Sequence, residues 1–264
     1  MVLSIQQLPT SPQTPVVNAG VLYVSNLNLV YNTGTLLDVL PGAARNSTDT
    51  NDIILNEKVT INIEKTGING VDVGTINGQT TYAVYVIADS SKYKKTAAIL
   101  SLNTVQPTLP FGYDMYRRIG WICTNLATTP AILKFYQYGF DETRTYYYDL
   151  DPTPENVDLY EIIQDGTSTT YAELALSPII PPIETQVFCR LLCVQSSVGD
   201  IFEFLPFNAS NLKGIVSVSL GQINTFYQNC EIPCSVDSNA AAIKYRVSSG
   251  SAITVDVYGY HDYL

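Results

Sequence analysis

Apolar and polar residues alternate with a period of two along much of this chain. Val59, Ile61 and Ile63 interleave with Thr60, Asn62 and Glu64. Successive side chains of a strand point to opposite faces, so this spacing predicts a half-buried strand. Residues 82–87 and 97–102 are β-prone runs on either side of Lys92-Tyr93-Lys94-Lys95, which predicts two paired strands joined by a solvated basic tip. Asn69-Gly70 and Asn77-Gly78 are turn signals of the tight-hairpin kind. Residues 116–123, 132–140 and 145–148 read as further strands, with Leu133 and Phe135 facing one way and Lys134, Tyr136 and Tyr138 the other. In the second half, residues 172–176, 183–194, 201–207, 215–220, 242–247 and 253–260 are short runs bounded by Gly, Pro, Ser or Asn. Strands at such spacing predict an all-β protein, an antiparallel β-sandwich of jelly-roll type.

The stretch 105–140 anchors this pattern, because it holds the only Trp, Trp121, and the only adjacent arginines, Arg117 and Arg118. Pro107 and Pro110 forbid helix and interrupt a ladder, so 105–112 is expected to be a loop or an edge crossing. Strict alternation in the next strand puts Tyr116, Arg118, Gly120 and Ile122 on one face and Arg117, Ile119, Trp121 and Cys123 on the other. The two arginines would then point to opposite sides and could not form one cluster. One of them is expected to tie the 107–112 crossing to the sheet through carbonyls or a carboxylate. Trp121 is expected to be buried on the Ile119 face.

Residues 1–20 are rich in Pro, Gln, Ser and Thr and read as an extended arm. The expected organisation is an arm with the first strands over 1–50, a β-sandwich over 51–148 and a second β-sandwich over 149–264. The acidic, Pro-containing piece 149–158 would connect the halves; it lacks the spacing of a calcium loop. The segment 133–141 (LKFYQYGFD) echoes 253–262 (ITVDVYGYHD), each would end a half, and the echo favours two related sandwiches in tandem.

Composition narrows the chemistry. Of 264 residues only 14% are charged, the net charge is −10 and there are 19 tyrosines. Such acidity argues against a broad nucleic-acid footprint, which needs a basic surface. No apolar run approaches a membrane span, so membrane insertion is not expected. The N-terminus lacks the features of a secretory signal, and export by that route is not expected. The Asn46-Ser47-Thr48 and Asn208-Ala209-Ser210 sequons then read as chance matches.

Cys189, Cys193, Cys230 and Cys234 form two CxxxC pairs, with Cys123 apart from them. If their strands were antiparallel neighbours, Cys189 could face Cys234 and Cys193 could face Cys230, a geometry for two disulfides. Zinc is disfavoured by the spacing and by a lone His261. The favoured expectation is buried, reduced thiols acting as small apolar side chains.

His261 is the only candidate base for a catalytic triad, and no G-x-S-x-G, P-loop, G-x-G-x-x-G or H-E-x-x-H motif is present. The 24 Asp and Glu could supply a glycosidase pair, but nothing singles two of them out. No enzyme activity, catalytic residue, cofactor or metal site is therefore expected. Tyrosine has a use outside catalysis, as rigid contact area for protein interfaces or sugar stacking. Within Tyr146-Tyr147-Tyr148 the rings alternate faces, so at least one is expected outside the core.

The ordered landmarks over residues 68–195 resemble a pattern found in virion proteins of tailed bacteriophages. They are Gly70-Val-Asp-Val-Gly-Thr before the Tyr-rich strand at 81–88, Pro107-Thr-Leu-Pro-Phe-Gly-Tyr leading into Arg117-Arg-Ile-Gly, Phe135-Tyr-Gln-Tyr-Gly, and Pro181-Pro182 before the apolar strand at 187–194. The resemblance implies a β-sandwich virion subunit with no catalytic residues, most readily of the tail, fibre or fibre attachment. A capsid-decoration or head-fibre protein and a glycan-binding receptor module are its alternatives. Its implied partners are other virion proteins and copies of itself, with a host surface glycan as a further candidate, and its implied location is the virion.

Overall fold

The computed structural model describes residues 23–139, 141–149, 160–209, 214, 216–219, 225–237 and 240–264. The arm at 1–20 and the connector at 150–158 lie outside the described residues. The named elements among the described residues are all strands. The first half holds β1 (Val24–Asn26), β2 (Leu29–Thr33), β3 (Leu36–Val39), β4 (Gly42–Arg45), β5 (Asp52–Leu55), β6 (Val59–Asn62), β7 (Thr81–Ala88), β8 (Ala97–Ser101) and β9 (Met115–Cys123). There follow β10 (Phe135–Tyr138), β11 (Thr143–Tyr148), β12 (Glu161–Gly166), β13 (Ala172–Ala175), β14 (Thr185–Val194), β15 (Phe202–Pro206), β16 (Val216–Val218), β17 (Thr225–Asp237), β18 (Ala240–Val247) and β19 (Ala252–Tyr263).

Three small sheets, β1-β4-β5, β2-β3-β6 and β8-β7-β9, accompany a ten-stranded sheet ordered β10-β11-β19-β14-β17-β18-β15-β16, with β12 on β19 and β13 on β18. Every pairing between these strands is antiparallel. The fold is thus all-β and antiparallel, in keeping with a β-sandwich. Buried side chains from all four sheets join in one apolar cluster, from Val24 and Leu37 through Val84 and Ile99 to Val187 and Val257.

Two expectations about chain organisation meet a different arrangement. The echoing segments 133–141 and 253–262 do not close separate sheets: β10 and β19 both flank β11. Hydrogen bonding therefore runs across the 148/149 boundary. The turn signals at Asn69 and Gly78 also make no tight hairpins. The chain from β6 instead lays residues 69–72 along the free edge of β8, with Leu100 N–H donating to Gly70 O (2.9 Å) and Asp72 N–H to Leu100 O (2.8 Å). A free strand edge offers backbone partners that outweigh a local turn preference. The basic turn between β7 and β8 does form a hairpin tip, with Ile87 paired to Ala97.

Strand β17, at 13 residues, is absent from the runs that alternation picks out. Gln228, Asn229 and Pro233 interrupt its apolar pattern. The proline is tolerated because residues 225–234 pair with β14 on one side only, and β18 takes over from Ser235.

In β9 the alternation breaks. Val84 pairs with Gly120 but Tyr85 pairs with Arg118, leaving Ile119 as the extra residue of a bulge. Gly120 sits there at φ 152°, and a Cβ on it would lie 2.2 Å from the Tyr146 hydroxyl and 2.8 Å from Leu29 Cδ1. A bulge shifts the parity of the side chains that follow it. Trp121 is buried as expected, at 2% exposure, but Arg118 lies over its ring at 4.8 Å, so these two share a side that strict alternation denies them. Arg118 does not tie down the 107–112 crossing. It pairs with Asp262 at 2.9 and 3.0 Å and donates to Tyr263 O. The crossing is held by Thr108 N–H on the Asp72 carboxylate (2.9 Å), Tyr113 Oη on Lys95 O (2.9 Å) and Lys94 Nζ on Phe111 O (2.6 Å).

The sheets meet at Arg144, which is fully buried. Its guanidinium donates to Leu27 O (3.0 Å), Ile119 O (3.2 Å), Gln137 Oε1 (3.4 Å), Asp141 O (3.3 Å) and Asn26 O. One side chain of β11 thereby binds the β1–β2 turn, the β9 bulge, β10 and the β10–β11 turn. Burial pulls its pKa down, and the buried carboxylate of Asp262, its cross-strand neighbour on β19, offsets part of that cost.

Candidate functional site

Period-two alternation sorts the side chains of the large sheet. On β14, Val187, Cys189, Leu191 and Cys193 are buried, while Gln186 and Arg190 are exposed. Phe188 belongs to the outer set by parity, yet it is only 3% exposed. Other rings cover it: Tyr147 of β11 stacks on it at 5.2 Å, Tyr258 of β19 at 6.0 Å, and His261 meets it edge-on at 4.8 Å. Tyr138 of β10 packs against Tyr147 at 5.8 Å, and Tyr263 against His261 at 6.2 Å. The result is a continuous aromatic face across β10, β11, β19 and β14, open to solvent at Tyr136, Tyr138 and Tyr263 (49, 60 and 54% exposed). On neighbouring β17, Glu231 sits opposite Phe188.

Backbone detail builds this face. Phe188 pairs with Gly259, Cys189 with Val257, and Tyr258 is the extra residue between them. A Cβ on Gly259 would lie 2.9 Å from the Phe188 ring and 2.2 Å from Tyr146 O. The missing side chain lets the Phe188 ring lie against β19 while the bulge aims Tyr258 outward. Beneath the face, Tyr146 and Tyr260 stack at 4.9 Å and 4°. Their hydroxyls are pushed above the ordinary tyrosine range by burial, so they stay neutral and serve as core. Of the three consecutive tyrosines, Tyr146 and Tyr148 are buried and Tyr147 is the outward ring.

His261 is part of this packing. Its Nδ1 lies 3.0 Å from Thr145 Oγ1, and its ring covers Phe188. Arg117 and Arg118 both line a cleft of about 230 Å³ with Tyr85, Tyr116 and Leu264, so the pair is closer to one cluster than alternation implies. Another cleft, about 520 Å³, is lined by hydroxyls, amides and apolar groups, among them Gln79, Thr81, Asn103 and Ser177. It brings no acid, base or thiol to its walls.

Cys189, Cys193, Cys230 and Cys234 lie on the inner side of the same sheet, whereas Cys123 ends β9 in the β8-β7-β9 sheet. β14 and β17 are antiparallel neighbours, but the register differs from the anticipated one by four residues. Cys189 faces Cys230, Cys193 faces Phe226 and Cys234 faces Thr185. The pairings Cys189–Cys234 and Cys193–Cys230 do not form, and all five thiols are free. Among the described residues no group of three or more His, Cys, Asp and Glu is arranged to hold a metal ion.

Burial raises the thiols from an ordinary 9.0 to about 12 for Cys123 and Cys193, and to about 11 for Cys230 and Cys234. A folded-state pKa above the unfolded one contributes stability that is complete below the unfolded value. That contribution is lost as pH rises through the folded value. Urea unfolding midpoints are therefore expected to show no thiol effect below pH 9, then a decline toward pH 11–12. Replacing the cysteines by Ala should flatten that limb of the profile, and a decline unchanged by the replacement would contradict the assignment.

No protein-family model matches the chain, and neither does any curated protein. Among solved structures, the chain is similar to one described as "Structure of infectious bursal disease virus Gx strain". The identity is 13%, the match covers 92% of this chain and 71% of that one, and the TM-score is 0.21. A likeness that loose carries no argument about fold or function.

The signal for the aromatic face was present but diluted. Phe188 is an isolated aromatic between outer Gln186 and Arg190, and His261 and Tyr263 flank buried Asp262. Only the register of four strands brings these rings together.

Proposed function

We propose that this chain is a structural subunit of a virus particle, held in place by protein contacts through its aromatic face. The observation that carries the reading is the face itself: interlocked rings on four paired strands, preorganised and partly open to solvent. Rigid tyrosines with a polar tip lose little entropy on contact and are favoured at interface cores. The landmarks similar to those of tailed-bacteriophage virion proteins support a tail, fibre or fibre-attachment subunit, with a head-decoration role as the nearest alternative. This reading assigns the chain no reaction. Its one histidine is engaged in ring packing, and its buried thiols are held protonated. Mass spectrometry of purified virions tests it. The chain is expected in the particle in many copies, and its absence from particles of a virus that encodes it would contradict the proposal.

A second reading rests on the same rings. Tyr136 and Tyr138 expose their rings beside polar Thr145, which lies opposite Tyr138, as a platform for sugar stacking would. Glycan-array binding that disappears on Tyr138→Ala would favour this reading, and flat binding curves would remove it.

A further inference from the structure

Away from the aromatic face, two loops meet in one projection. The β7–β8 tip carries Lys92, Tyr93, Lys94 and Lys95, and the crossing before β9 carries Phe111. Tyr93 is 92% exposed and Phe111 is 95% exposed. Large apolar rings so fully in water, side by side with three lysines, are unusual for a surface that meets only solvent.

The projection is rigid. The Asp89 carboxylate accepts N–H groups from Ser91 (2.9 Å), Tyr93 (3.1 Å) and Lys94 (3.2 Å), and Asp114 accepts the N–H of Ser90 at 2.8 Å. Lys94 Nζ donates to Phe111 O at 2.6 Å while lying 5.5 Å from the Phe111 ring and 5.4 Å from the Tyr113 ring. These bonds hold the backbone at Tyr93 and Phe111 in place before any partner arrives, which removes part of the ordering cost of association.

Charge identifies the partner. Residues 1–140 carry nine Lys and Arg against eight Asp and Glu, whereas residues 141–264 carry five against sixteen. The net charge of −10 therefore resides in the second half. Three of the four strands of the aromatic face, β11, β19 and β14, lie in that half and β10 lies in the first. At the face itself exposed Asp141 and Glu142 sit between Tyr138 of β10 and β11, exposed Glu231 lies opposite Phe188, and Lys134 beside Tyr136 is already paired with Asp149. A basic, aromatic projection and an acidic, aromatic face on one chain are complementary in both charge and chemistry. Lysines can sit over tyrosine rings, and Phe111 and Tyr93 supply anchors.

We infer that the Lys92–Lys95 and Phe111 projection of one copy docks on the aromatic face of a second copy. The contact joins different surfaces, so it is heterologous and builds rings or filaments unless two copies satisfy each other. The inference rests on the assembly reading of the face and names what the face meets.

Sedimentation of the full chain at low and high salt tests it. The wild type is expected to self-associate, more weakly as salt rises. A projection variant (Tyr93→Ser with Phe111→Ser) and a face variant (Tyr136→Ser with Tyr138→Ser) should each associate on the order of 30-fold more weakly, the effect of losing a hot spot. All four positions are solvent-exposed, and circular dichroism checks that both variants fold. Mixed together, the two variants should form a one-to-one complex, because one supplies the projection and the other the face.

A wild type that is monomeric at every salt concentration would overturn the inference. So would a projection variant that associates like the wild type. Projection-dependent binding to phosphatidylserine vesicles without self-association would assign the surface to a membrane instead. A chain present in virions whose association ignores the projection would overturn this inference alone. Absence from virions would overturn the assembly role while leaving the self-contact measurable.

Discussion

Replacing Arg144 by Met is expected to destabilise the chain by about 3–5 kcal/mol, the range for breaking a buried charged network. Arg144 is 0% exposed, and its guanidinium is the shared donor to the carbonyls of Asn26, Leu27, Ile119 and Asp141. Met matches the side chain in bulk but donates nothing, so these acceptors lose a common partner. Two of them belong to Asn26 and Leu27, at φ 55° and 57°. That left-handed pair costs energy in any residue but Gly, and bonds to Arg144 hold it in place. Asp262, also 0% exposed, would keep only Arg118 as a counter-charge. Arg144→Lys should cost nearly as much, because one ammonium cannot span acceptors arranged around a planar fork. Urea unfolding followed by Trp121 fluorescence should show a lower midpoint at unchanged slope. A loss below about 1 kcal/mol, the ordinary surface-substitution range, would mean that Arg144 does not join the sheets.

The second large effect is expected at Gly259. An alanine Cβ there would sit 2.2 Å from Tyr146 O, a backbone atom in the β11–β19 ladder, as well as 2.9 Å from the Phe188 ring. A flexible side chain could yield; a paired backbone carbonyl yields only if the ladder opens. Gly259→Ala should cost about 3 kcal/mol, at the upper end for overpacking. Because the Phe188 ring must move as well, the near-ultraviolet circular dichroism of the stacked tyrosines should change beyond what stability alone explains. An unchanged aromatic spectrum with unchanged stability would contradict the close approach of these strands.

What the sequence could convey follows from what alternation measures. It reports which face of a strand is apolar. The strand at Val59, Ile61 and Ile63, the β7–β8 hairpin and the burial of Trp121 were therefore legible. An inserted residue is invisible to it, so the Ile119 bulge, hinted at only by Gly120, altered the relation of Arg118 to Trp121. Register is invisible too. The cysteines are inner-face neighbours, yet which thiol faces which depends on a four-residue offset that no local pattern encodes. Arg144 was missed for a third reason. It lies between Thr143 and Thr145 and looks like part of a polar stretch, although parity with Tyr146 and Tyr148 places it inward. The aromatic face was half legible, since three consecutive tyrosines demanded one outward ring. Its remaining rings come from strands far apart in sequence.

The central claim is that the outer aromatic face of β10, β11, β19 and β14 is buried when the chain takes its place in a particle. Tyrosine nitration, read residue by residue by mass spectrometry on the free chain and on intact virions, tests this most directly. In the free chain, dilute and at high salt where self-association is weakest, Tyr136, Tyr138 and Tyr263 should react readily while Tyr146 and Tyr260 stay protected. In the virion the same three exposed tyrosines should become protected. Equal nitration of Tyr136, Tyr138 and Tyr263 in the free chain and in the virion would contradict the account.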